Sequence, residues 1–86
     1  MAMENIHFSV VTVETTRLGE LRKITSVTQA AAFLLSEWPG QRGRLHVLAR
    51  HACLEALEGT ITGEMARTAF INAAKEAGIY VRARTP

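Results

Sequence analysis

Eighty-six residues with a net charge of +2 make one domain's worth of chain, with no room for a second core or a large catalytic cleft. Hydrophobic residues at 48% and charged residues at 21% exclude a disordered tail, a collagenous repeat and a low-complexity linker. A single cysteine, Cys53, excludes an internal disulfide framework and a multi-cysteine zinc site. The longest apolar run, Ala30 to Leu35, falls far short of the ~20 residues that a membrane-spanning helix needs.

Phe8-Ser9-Val10-Val11-Thr12-Val13-Glu14 is β-branched and aromatic and reads as a strand. Val10 and Val11 point to opposite faces of it, so the strand is expected to be central or covered on both sides. Gly19 supplies a residue free to take positive φ, and Glu20 to Ile24 reads as the return strand of an antiparallel hairpin. Ser26-Val27-Thr28-Gln29 fits a capping box opening helix 1. Val27, Ala30, Ala31, Leu34, Leu35 and Trp38 form its apolar stripe, Phe33 lies off that stripe, and Pro39-Gly40 ends the helix.

Helix 2 is expected from about Gly43 to Glu58, with Gly59 as its stop. Leu45, Leu48, Ala49, Ala52, Cys53 and Ala56 form its core stripe, with Leu57 at the edge. At ~100° per residue Val47 and Leu54 lie nearly opposite, giving a second, narrower apolar face. Helix 3 follows Thr62 as N-cap, with Ala66, Ala69, Phe70, Ala73, Ala74 and Ala77 as a face of small residues, and Gly78 closes it. Ile79 to Ala83 reads as a third strand. The order β-β-α-α-α-β predicts an α+β fold with helices on one face of a small antiparallel sheet. The whole chain, 1–86, is expected to be one domain, with 1–6 and 84–86 frayed.

Chemistry-bearing constellations are sparse. His46, His51 and Cys53 share helix 2, but His46 and His51 stand about 140° apart around the axis, which argues against a common metal ion. Cys53 sits on the core stripe as a small hydrophobe. No phosphate-binding glycine loop appears, Asp is absent, and the eight Glu residues form no tight pair on one loop. No cofactor and no enzymatic activity is expected, and an unrecognised small enzyme ranks last among the readings.

The charges of helix 2 break a rule. Arg42 and Arg44 stand at its start and Glu55 and Glu58 at its end, so each opposes the helix dipole. One compensation is an anion at the helix start, held by free N–H groups with Arg42 and Arg44. Another is a second copy of the chain. Arg44 and Glu58 lie seven residues either side of His51, and Val47 and Leu54 flank nearly the same centre. An antiparallel two-fold pair of these helices brings Arg44 against the partner's Glu58 and lets Val47 and Leu54 cover each other. The plain alternative is a solvated face whose charges cost little. A homodimer acting as an interaction or regulatory module is the leading reading. Weak nucleic-acid binding is the runner-up, through Arg17, Arg22 and Lys23 on the hairpin with Arg82 and Arg84 at the end. The opening residues Met1-Ala2-Met3-Glu4-Asn5 resemble no signal peptide, so a cytoplasmic setting without membrane contact is expected.

The segment from Trp38-Pro39 through Gly43, His46, Ala49, Cys53 and Ala56-Leu57-Glu58-Gly59 to Ala66-Arg67-Thr68-Ala69-Phe70-Ile71-Asn72-Ala73-Ala74-Lys75-Glu76-Ala77 resembles a small bacterial family of unknown function, number 982 in its series. The resemblance extends more loosely over the front hairpin and helix 1. It implies a free-standing bacterial α+β domain and brings no activity, substrate or catalytic residue. Trp38, His46 and Arg67 are the positions of this fingerprint that packing explains least. The structural reading has His46 and Arg67 bonded to each other or to backbone carbonyls at the helix 2–helix 3 seam; the functional one places a small acidic ligand there.

Overall fold

The front of the chain folds back on itself where the β-branched run predicts. The computed structural model describes residues 6–17 and 19–81. Strand β1 (His7–Glu14) pairs antiparallel with β2 (Leu21–Ser26), placing Val11 opposite Ile24 and Val13 opposite Arg22. The turn closes with Thr15 N donating to Glu20 O at 3.1 Å and Glu20 N donating to Arg17 O at 3.1 Å. Gly19 takes φ 82°, a left-handed conformation that L side chains rarely adopt.

Helix α1 (Val27–Ser36) starts directly from β2. Ser26 Oγ accepts from Gln29 N at 3.1 Å, as a capping box requires. The Gln29 side chain reaches back one residue further than expected, accepting from Thr25 N at 2.8 Å. Helices α2 (Arg44–Leu57) and α3 (Gly63–Ala77) follow, and α3 opens on Thr62, whose Oγ1 accepts from Met65 N at 3.1 Å. Gly78 ends α3 at φ 74°, and β3 (Tyr80–Val81) returns to the sheet. It pairs antiparallel with β1, so the strand order is β2-β1-β3 and β1 is central. Two residues of the third strand fall within the described chain; its expected continuation through Arg82 and Ala83 lies outside the described residues.

The inner face of the sheet, with Val11, Val13 and Ile24 buried, carries α1 on β2 and α3 on β1 and β3, while α2 packs on α3 and α1. Small residues meet along the α2–α3 seam. Ala49, Cys53 and Ala56 on α2 and Ala66, Ala73 and Ala74 on α3 are fully buried. Short side chains of this kind let the two helix axes approach closely. At the centre, Phe33, Trp38 and Phe70 pack edge to face, with ring centroids 5.7 Å (Phe33–Trp38), 6.2 Å (Phe33–Phe70) and 6.0 Å (Trp38–Phe70) apart. Such aromatic pairs contribute ~0.5–1.5 kcal/mol each beyond the area they bury.

Both stripe assignments on the first two helices shift by a fraction of a turn. On α1, Phe33 is buried and Leu35 is 56% exposed, the reverse of the expected stripe. This helix faces the sheet, α2 and α3, and the ring that completes the aromatic cluster takes the inner position. On α2, His46 is buried and Leu48 is exposed. The rotation is possible because the His46 ring finds a hydrogen-bond partner inside, which a count of apolar residues does not register.

Candidate functional site

Helix α2 is the element on which the sequence places most candidate residues, and its inner side is structural. His46 Nε2 lies 2.8 Å from Leu34 O, and the imidazole packs edge to face on Trp38 at 5.0 Å between centroids. The bond to a carbonyl fixes the proton on Nε2 in the neutral ring, leaving Nδ1 as a buried acceptor without a partner. Burial pulls the His46 pKa below the ordinary imidazole value, outweighing the Leu34 carbonyl; Arg42 and Arg50 push it in the same direction as burial. Trp38 Nε1 donates to Gln41 O at 3.1 Å, which closes the turn between α1 and α2. Cys53 is fully buried, and burial raises its thiol to about 11, so it carries no thiolate at neutral pH.

Arg67 serves a different contact from His46. Its Nε donates to Ser9 O at 2.8 Å, within the stretch of β1 where the ladder slips. Four steps from His7 to Val11 face only two from Ser26 to Ile24 there. Arg67 Nη1 lies 3.6 Å from Glu64 Oε1. His46 and Arg67 therefore each take a backbone carbonyl, one on α1 and one on β1, and not each other.

The start of α2 is occupied by the chain itself. Gly43 is its N-cap and offers no side-chain bond. Leu45 N instead donates to Glu76 Oε1 at 3.2 Å, a carboxylate delivered from the last turn of α3. A Cβ on Gly43 would come within 2.6 Å of that oxygen, so the missing side chain makes room for the cap. Arg42 turns away, its Nη2 donating to Leu35 O at 2.9 Å, where a cation meets the C-terminal carbonyls of α1. Arg42 and Arg44 are thus not brought together at the helix start, and the anion there is Glu76. Sequence reasoning missed Glu76; the signal available was an uncapped helix start lacking any acid of its own.

The outer side of α2 is bare. Arg44, Val47, His51, Leu54 and Glu58 are all exposed, with Val47 at 37% and Leu54 at 56%. Among the described residues the ion pairs are Arg22 with Glu37 at 2.6 Å and Arg67 with Glu64, so neither Arg44 nor Glu58 is paired with a described residue. On the α1 side this face runs into a groove lined by Ala31, Leu35, Arg50, His51, Leu54 and Leu57. Of the basic hairpin residues, Arg22 is held by Glu37 and Arg17 and Lys23 are exposed; Arg82 and Arg84 of the chain end lie outside the described residues. Among the described residues no three His, Cys, Asp or Glu side chains gather to hold a metal ion, and no helix is long and apolar enough to cross a membrane.

Two helices on one face of a three-stranded antiparallel sheet, a third helix packed on both, and an uncovered outer face on that third helix define a small α+β domain. The chain belongs to the family described as protein of unknown function DUF982, whose profile matches residues 9–81. No curated protein and no solved structure matches it.

Proposed function

We propose that this domain is a non-enzymatic interaction module that self-associates through the outer face of α2. The observation that carries this reading is the exposure of Val47 and Leu54 on a helix whose opposite side is already fully used by the core. The flanking charges favour a second copy as the occupant. Arg44 and Glu58 are unpaired within the described chain and stand symmetrically about His51, so a two-fold antiparallel pairing satisfies both with one repeated contact. A single helix-on-helix contact falls at or below the ~1,200 Å² lower bound of stable interfaces, so the dimer is dynamic and its mass depends on concentration. A reducing cytoplasmic setting fits a lone buried thiol.

Sedimentation equilibrium over a concentration series tests the reading. Wild type is expected to approach dimer mass at high concentration, Val47→Glu and Leu54→Glu to remain monomers, and Arg44→Glu combined with Glu58→Arg to recover the dimer. A monomeric wild type, or unchanged mass in both apolar-to-Glu variants, refutes it.

A further inference from the structure

The groove between α1 and α2 carries a chemistry of its own. Leu35 and Leu54 are each 56% exposed, on adjacent helices, and help line a space of about 380 Å³. That size lies within the ~300–1,000 Å³ range of small-ligand sites. The lining is one-sided: Ala31, Leu35, Leu54 and Leu57 supply aliphatic surface, Arg50 and His51 are its only ionisable side chains, and no carboxylate is among them. Three other arginines are already engaged within the chain. Arg22 meets Glu37, Arg42 meets Leu35 O, and Arg67 meets Ser9 O. The Arg50 Nε is covered by the chain's own atoms and has no hydrogen-bond partner among the described residues. A ligand in the groove therefore meets the Nη edge of this half-buried guanidinium, and a carboxylate is the acceptor that a cation set in an aliphatic lining selects.

We infer that this groove binds an amphiphilic monocarboxylate, with the chemistry of a free medium-chain fatty acid. The aliphatic chain lies between Leu35 and Leu54, and the carboxylate sits at Arg50. Apolar contact supplies the affinity, and the lone cation fixes which end of the ligand enters. The assignment does not rest on self-association, although Leu54 and His51 belong to both surfaces, so ligand and second copy exclude each other there.

Octanoate titrated into ¹⁵N-labelled wild type and Val47→Glu tests this by amide shifts. Val47 does not line the groove, so that variant removes the α2 pairing contact and keeps the site. The expected result is saturable shifts centred on Leu35, Arg50 and Leu54 in both proteins. Arg50→Met, which retains much of the aliphatic stem, should bind at least tenfold more weakly, and octylammonium, with the same tail and the opposite head, should not bind. Octylammonium binding as tightly as octanoate overturns the inference without any variant. Unchanged affinity in Arg50→Met, or shifts scattered away from the groove, does so as well. Binding to phosphatidylglycerol vesicles without binding to octanoate also rejects it, since the surface then reads a membrane. A wild type that binds octanoate yet stays monomeric refutes self-association alone.

Discussion

Truncating Phe33 and, separately, Leu35 to alanine sets the observed rotation of α1 against its apolar stripe. Phe33 is 1% exposed and touches both Trp38 and Phe70 edge to face, whereas Leu35 is 56% exposed. Removing a buried Phe side chain costs about 3–5 kcal/mol through lost transfer energy and the cavity left behind. A Leu that keeps half its surface in water gives up less than half of the ~1.5–3 kcal/mol of full burial, so Leu35→Ala should cost under about 1.5 kcal/mol. A domain of this length has roughly 4–13 kcal/mol to lose. Phe33→Ala is therefore expected to be marginally folded and Leu35→Ala near wild type. Urea unfolding followed by far-ultraviolet circular dichroism at low temperature reads both midpoints on a common slope. Equal losses, or a larger loss at Leu35, would show that the stripe, and not the aromatic cluster, holds α1 in place.

Two further outcomes follow from the inner side of α2. His46 is buried neutral with its pKa lowered, so the unfolded chain takes up a proton near 6.5 that the folded chain resists. Its contribution is fully present above about pH 6.5 and is lost as pH falls through the lower folded value. Urea midpoints should drop between pH 7.5 and pH 5, and the drop should shrink in His46→Gln; an identical pH profile in the variant contradicts the assignment. Glu76→Ala removes the carboxylate that caps α2 at Leu45 N and should cost ~0.5–2 kcal/mol, the loss expected of an N-cap. Glu76→Gln, which keeps an acceptor without the charge, should lose less, and thermal melts of the two variants compare them.

The starts of α1 and α3 and the glycine turns were legible because they depend on local chemistry, whereas α1 ends at Ser36, before Trp38 and the expected Pro39-Gly40 stop. Ser26 and Thr62 cap the helices that follow them, and Gly19 and Gly78 take the left-handed conformations their turns demand. The outer face of α2 was legible too, since Val47 and Leu54 lie opposite the core side by helix geometry alone. What stayed hidden are contacts between distant parts of the chain. His46 is buried because Leu34 offers a carbonyl, and Glu76 sits 31 residues from the N–H it caps. Phe33 and Leu35 exchange roles because α1 packs on the sheet, α2 and α3 together, and hydrophobicity along one helix does not say where its neighbours stand. Arg67 reaches across 58 residues to Ser9, a partnership that no spacing rule anticipates.

The Glu76 cap carries a consequence for how the molecule comes together. Helix α2 has no acidic residue in its first turn, no basic residue in its last and no side chain of its own at the N-cap. Alone, such a segment has little reason to coil, since short helices in water are marginal even with favourable ends. Its order is on loan from α3, the later of the two to leave a ribosome. The start of α2 thus depends on a residue far downstream, and a change that loosens the end of α3 is expected to fray the start of α2 with it.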